Sequence, residues 1–240
     1  MATHRYHIIY ESPDFIAVDK PAGLLTIPDR EQTSTSLKEL LQAKYGMILT
    51  VHRLDRDTSG LVIFARNEEW HKYLCRLFED RSIRKTYLGI VVGKPAESSG
   101  DIEAPIMEDP LHPGRMIIHR NGKPSHTSFE VLESFKPYSL VRFNLHTGRT
   151  HQIRLHARHI GYPLACDPLY GDGKPVLISS FKKKFNLSKS EEQERPMINR
   201  LALHAYQLSL PLPSGVMLEL EAAIPKEFRA LMQQLAKYAK

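Results

Sequence analysis

Within this 240-residue sequence, the residues best suited to do chemistry lie in Val51–Gly60, VHRLDRDTSG. A cation, an apolar residue and a carboxylate follow one another as Arg53, Leu54 and Asp55. A second pair, Arg56 and Asp57, then precedes Thr58-Ser59-Gly60. The run Leu61-Val62-Ile63-Phe64-Ala65 is wholly apolar and predicts a buried strand. If Arg53–Asp55 is extended, Arg53 and Asp55 project to one side while Leu54 anchors the segment in the core. Thr58-Ser59-Gly60 would then turn the chain into the strand. A carboxylate held at the edge of rigid structure is well placed to react, and it needs a cation partner to stay ionised once water is excluded. Two other readings compete here. One is a solvated Arg–Asp pair beside a turn; the other is a D-x-D metal site at Asp55 and Asp57, as in metal-dependent sugar transfer.

A second stretch, Thr147–His156 (TGRTHQIRLH), supplies cations at Arg149 and Arg154. On a helix beginning at Thr150, Ile153, Ala157 and Ile160 face the core while Arg154 and Arg158 share another face, four residues apart. A solvated basic helix is the competing reading. A metal site at His151, His156 and His159 lacks both the H-E-x-x-H spacing and nearby carboxylates.

Several elements must position these residues. His7–Tyr10 and Phe15–Val18 read as strands around the turn Glu11-Ser12-Pro13-Asp14. Thr35–Tyr45 predicts a helix through Leu37, Leu40 and Leu41. Asn67 predicts the cap of a second helix, with Trp70, Tyr73, Leu74, Leu77 and Phe78 on its buried stripe. Lys85–Gly93 and Leu201–Leu210 read as strands. In Tyr138–Leu145, Val141, Phe143 and Leu145 alternate with Arg142 and Asn144, as in a half-buried strand. Asp109–His126 reads as an exposed hairpin or long loop, and 174–199 as a mobile insertion. A last helix covers Lys226–Tyr238. Strands and helices mix without regular βα alternation, which predicts an α+β fold with a mainly antiparallel sheet flanked by helices.

The balance of 33 basic against 27 acidic residues, net +6 with a pI near 9.2, favours a polyanionic partner. The two cysteines, Cys75 and Cys166, have no zinc-site spacing and read as free thiols of a reducing compartment. No apolar run is long enough for a bilayer span, and the N-terminus has no signal core. These features predict a cytoplasmic protein with no membrane partner.

Taken in order, the motifs resemble those of the RluA-type family of RNA pseudouridine synthases. The resemblance rests on Lys20-Pro21-Ala22-Gly23, then His52-Arg53-Leu54-Asp55 with Thr58-Ser59-Gly60-Leu61, then Lys85-Thr86-Tyr87. It continues through Thr147–Arg154, Asp167–Gly171 (DPLYG) and Arg200–Ala205 (RLALHA), and so covers almost the whole chain. It implies the pseudouridine synthase fold, with a central catalytic cleft. It also implies that Asp55 is the essential catalytic carboxylate, that Arg154 pairs with it, and that Tyr87 stacks on the target uracil and helps in proton transfer. Arg53 would fill the gap that the flipped nucleotide leaves in the RNA. His52, Lys20, Thr58 and Arg149 fall within the matched motifs and are expected to bind substrate. Arg115, with His119, Arg120 and Lys123 in the basic loop, and Arg158 are expected to grip the RNA. The resemblance implies ribosomal or transfer RNA as partner, no DNA, no metal or other cofactor, and a monomer.

Because the first motif begins at Lys20, the expectation is a single catalytic domain over 1–240 without an accessory N-terminal RNA-binding domain. Two other classes remain as alternatives, an RNA-binding module without activity and the metal-dependent transferase.

Overall fold

The structure, a computed structural model, describes residues 6–29, 34–186 and 193–239. In chain order its elements are β1 His7–Glu11, β2 Phe15–Lys20, α1 Leu37–Tyr45, β3 Leu49–Thr50, β4 Ser59–Ala65, α2 Glu68–Glu79, β5 Arg84–Val92, β6 Ser99–Glu103, β7 Ile106–Glu108, β8 Met116–Ile118, β9 His126–Ser134, β10 Tyr138–Leu145, α3 Gln152–His159, β11 Leu203–Pro211, β12 Met217–Glu221 and α4 Lys226–Tyr238. The fold is α+β. The pairs β1–β2, β2–β4, β3–β4, β6–β9, β7–β8, β9–β10 and β11–β12 are antiparallel, and β4–β11 is parallel. The chain divides into two compact units, Met1–Tyr87 with His204–Ala223, and Leu88–Leu203 with Ile224–Lys240.

The first unit is built around β4, all of whose residues are buried. β2 pairs with it antiparallel from Phe15↔Ala65 to Lys20↔Gly60, and β11 meets it in parallel at His204↔Ser59. Its side chains alternate between two cores. Leu61, Ile63 and Ala65 pack with Leu74 and Leu77 of α2, whereas Val62 and Phe64 pack with Leu37 and Leu41 of α1. A strand covered on both faces reads as an unbroken apolar run, which is the pattern of Leu61–Ala65.

Both helices have the ends their sequences call for. Ser36 and Glu39 form a reciprocal capping box at α1, and the Asn67 side chain accepts the N–H of Trp70 at 2.8 Å to start α2. The entry into β4 differs from expectation. The turn is made at Arg56-Asp57, and Thr58, Ser59 and Gly60 are already buried. Gly60 has φ +110°, and a Cβ there would lie 2.2 Å from the Ala205 carbonyl oxygen. This glycine therefore serves a close backbone approach of β11 as well as a strained φ.

In the second unit β6, β9 and β10 form an antiparallel meander, with Asp101↔Ser128 and Asn144↔Ser128 in register. The region expected to be a hairpin or long loop, Asp109–His126, contains β8, which pairs with β7 just ahead of the region from Ile106↔Ile118 to Glu108↔Met116. The described ends of the 174–199 segment are anchored: Val176 and Ile198 are buried and bridge each other. Residues 187–192 of the expected insertion lie outside the described residues. Helix α4 buries Phe228, Leu231, Met232 and Leu235. Among the described residues, no helix is long and apolar enough to cross a membrane.

Candidate active site

Asp55 is half-buried, on a loop whose neighbours are fixed from both sides. Leu54 is buried in the α1 core, as its apolar character predicted. Its backbone is held by Thr26, whose hydroxyl donates to the Leu54 carbonyl at 2.8 Å and accepts the Leu54 N–H at 3.1 Å. On the other side, the Arg56 carbonyl accepts from Lys20 Nζ at 3.0 Å and from the Gly23 N–H at 2.9 Å. The Arg56 Nε donates back to the Gly23 carbonyl at 3.1 Å. The Asp55 carbonyl accepts the Thr58 N–H at 3.2 Å, closing the turn. The carboxylate thus sits between two main-chain clamps and is presented with little backbone freedom.

Lys20, expected at the substrate, is 0% exposed. Its ammonium donates to the carbonyls of Pro21, Leu24 and Arg56. In this structure the Lys-Pro-Ala-Gly motif is a brace for the Asp55 loop. Three carbonyl acceptors satisfy a buried ammonium that could not otherwise be tolerated.

His52 also has a main-chain role. Its Nε2 accepts the Ile63 N–H at 3.0 Å, and its ring stacks on Phe78 with centroids 4.5 Å apart. Burial, then the positive charge of Lys85, pushes the imidazole down to about 3, so it remains the neutral acceptor that Ile63 requires. Thr58 is buried and its hydroxyl has no hydrogen-bond partner among the described residues, while Arg53 is exposed. Ser59 and His204, both buried, are bonded at 2.9 Å between Oγ and Nδ1, tying the start of β4 to β11.

Tyr87 packs against the same core as Leu54. Burial, then the negative charge of Asp55, pushes its phenol well above the ordinary tyrosine range. A carboxylate and a phenol that keeps its proton therefore share one electrostatic neighbourhood. Such a pair supplies a negative charge and a proton-holding aromatic ring.

In the second unit, Arg154 is 5% exposed and Asp167 is 0% exposed. The Arg154 Nε and Nη2 donate to the two carboxylate oxygens of Asp167 at 2.8 and 2.7 Å. Asp167 Oδ1 also accepts the N–H groups of Leu169 and Tyr170. Burial raises the Asp167 carboxyl, but the Arg154 hydrogen bond and charge and these backbone donors outweigh it and hold the group below the usual carboxylate range. The Tyr170 ring lies under Arg154 at 5.0 Å, and its hydroxyl bonds His151 Nδ1 and the Met116 N–H. The reading of the sequence missed Asp167 as a partner of Arg154. An Asp-Pro step followed by a tight turn is the signal that could have pointed to it.

Thr150 does not cap α3. The helix starts at Gln152 after His151, which takes the left-handed conformation at φ 55°. Gln152 instead organises the turn. Its Oε1 accepts from the Thr147 hydroxyl and the Arg149 N–H, and its Nε2 donates to the His126 carbonyl and Thr127 Oγ1. Arg149 Nε donates to the Pro124 carbonyl at 3.3 Å, and Arg115 to the Leu169 carbonyl at 3.1 Å. Arg158 is exposed whereas Arg154 is buried, so the two do not share one solvated face. His156 is buried between Thr127 Oγ1 and the Ala104 carbonyl, which occupies both ring nitrogens and leaves none for a metal.

The sequence pattern of the RNA pseudouridylate synthase family matches residues 14–159. The chain belongs to this family, as the RluA-type resemblance of its motifs implied. It is 38% identical over 235 residues to a protein named ribosomal large subunit pseudouridine synthase D from Nitrosomonas europaea, covering 95% of this chain and 64% of that one. It is 36% identical over 226 residues to an uncharacterized RNA pseudouridine synthase from Chloroflexus aurantiacus, covering 90% of this chain and 65% of that one. This chain therefore spans just under two thirds of the length of these two relatives. Among solved structures, human RNA pseudouridylate synthase domain containing 4 superposes with a TM-score of 0.71 at 25% identity, over 95% of this chain and 92% of that one.

Proposed function

We propose that this protein is an RNA pseudouridine synthase that isomerises particular uridines of ribosomal or transfer RNA, in the cytoplasm. The observation that carries the reading is Asp55, braced by Thr26, Lys20 and Gly23 and sharing its field with a protonated Tyr87. The family match and the relatives' names support RNA as the substrate.

The reaction breaks the bond between ribose and a uracil nitrogen and rejoins the ring through carbon. The target nucleotide must leave the stack, at a cost of a few kcal/mol. Tyr87 offsets part of that cost by stacking on the uracil, worth about 1–3 kcal/mol per base. Exposed Arg53 fills the vacated space. Asp55 acts on the sugar or the ring as the essential carboxylate, and Tyr87 helps in the later proton transfer, in which the ring carbon that joins the sugar loses its hydrogen and the freed nitrogen gains one. Arg154 is the third catalytic residue, and Arg149, Arg115 and Arg158 are contacts to the RNA. His52, Lys20 and Thr58 serve the substrate indirectly, by fixing the loop and strand that carry Asp55.

The test is to incubate the protein and its Asp55→Asn variant with unmodified ribosomal and transfer RNA and map pseudouridine. Product from the first, none from the second, and equal RNA binding by both are expected. Product made by Asp55→Asn refutes the mechanism. Binding without product from either refutes the activity and leaves a binding module. Activity that survives a chelator excludes the metal-dependent transferase.

A further inference from the structure

A cluster of side chains in the second unit has no part in this chemistry. Asp101 of β6, His126 of β9 and His146, just after β10, place one ligand-type atom each within 4.8 Å of one another. The register explains the convergence. Asp101 pairs with Ser128, Ser128 pairs with Asn144, and the His146 N–H bonds the His126 carbonyl at 3.2 Å. Alternate residues of a strand share a face, so Asp101, His126, Ser128 and His146 all rise from one side of the meander. His126 Nε2 meets Asp101 Oδ1 at 2.7 Å, and His146 Nε2 bonds Ser128 Oγ. The two imidazoles are stacked 4.1 Å apart and nearly parallel, at 17°.

We infer that Asp101, His126 and His146 form a binding site for a divalent transition-metal ion, of which zinc is the best fit. Two imidazoles and a carboxylate suit zinc, and Ser128 or water can complete a tetrahedral set. Tetrahedral zinc with Zn–N near 2.0–2.1 Å spaces its ligands roughly 3.3 Å apart, so the donors need to close in slightly. They are able to, because the Asp101 side chain is 63% exposed and that of His126 31%. The ion would take the place of the hydrogen bond between His126 and Asp101.

The site has a structural consequence. The His126 backbone is bonded to Thr147 Oγ1 and Gln152 Nε2, which shape the turn into α3. A metal joining β6, β9 and the end of β10 would stiffen that turn and with it Arg149.

The test uses the tag-free full chain stripped of metal. It is titrated with Zn²⁺ alone by calorimetry, and with Co²⁺ followed by visible absorption. One saturable equivalent in the micromolar range is expected, with the intense bands of tetrahedral Co²⁺ and a rise in melting temperature. His146→Ala removes only an exposed ring and should weaken Zn²⁺ binding at least tenfold, since even an outer partner of a ligand is worth roughly 10–100-fold. Asp101→Asn should weaken it similarly, and His119→Ala, at an exposed histidine outside the cluster, should leave it unchanged. Absence of a saturable Zn²⁺ site, or equal affinity in His146→Ala, overturns the inference. RNA modification is not needed for this readout, so the site stands or falls apart from the proposed activity.

Discussion

The loop around Asp55 and the pair Arg154–Asp167 handle a carboxylate in opposite ways. At Asp55 the fold grips the backbone, through Thr26 on Leu54 and Lys20 with Gly23 on Arg56. At Asp167 the fold grips the side chain itself, with two guanidinium bonds and two backbone N–H groups on a fully buried carboxylate. The first arrangement fixes a position and leaves the charge half-exposed to act on something. The second spends the charge on holding a cation and a turn in place. Substitutions should separate the two cleanly, the first costing rate and the second costing stability.

The largest effect belongs to Asp55→Asn. A loss of about 10²–10⁴-fold in pseudouridine formation is expected with an unchanged melting temperature, read by single-turnover product mapping beside thermal unfolding. Asp167→Ala should reverse that pattern. It leaves Arg154 buried without its carboxylate and should cost about 3–5 kcal/mol in denaturant unfolding. Replacing both by apolar residues, Arg154→Met with Asp167→Leu, should recover much of that stability, while activity is lost with Arg154.

Lys20→Met tests the brace between these extremes. It strands carbonyls that the ammonium now satisfies, so about 1–3 kcal/mol of stability should be lost, and activity should fall although Asp55 is untouched. The remaining effect is pH-dependent. Between pH 6.5 and about 3 the unfolded chain takes up a proton at His52 that the folded chain refuses. Stability should therefore fall as pH drops through that window, by at most about 1.4 kcal/mol per pH unit from this group. His52→Gln should flatten that part of the stability profile.

Much of this was legible in the sequence where the signal is local. Asn67 capping α2, the alternation of Tyr138–Leu145, and the apolar run that became β4 are set by residues within a few positions of one another. Asp55 and Leu54 were legible for the same reason. What escaped depends on partners far along the chain. Lysine at 20 reads as a surface or substrate group until Leu24 and Arg56 turn their carbonyls toward it. Strand β9 carries buried Thr127 and Phe129 among polar residues and follows a stretch read as loop, so its pattern was passed over. Gln152 looked like one more polar residue of a basic helix, yet it is 2% exposed and serves four hydrogen-bonding partners.

The parallel contact of β11 with β4 also carries a timetable. Ser59 and His204 are separated by 145 positions, and the Gly60 backbone is shaped to receive Ala205. During synthesis the residues up to Tyr87 leave the ribosome with Ser59 and Gly60, at one end of their central strand, waiting for a segment not yet made. At roughly 5–20 residues per second that wait lasts on the order of ten seconds, a long interval for the end of a core strand to go unpaired. A nascent chain arrested before Leu203 is thus where aggregation, or chaperone capture, should be greatest.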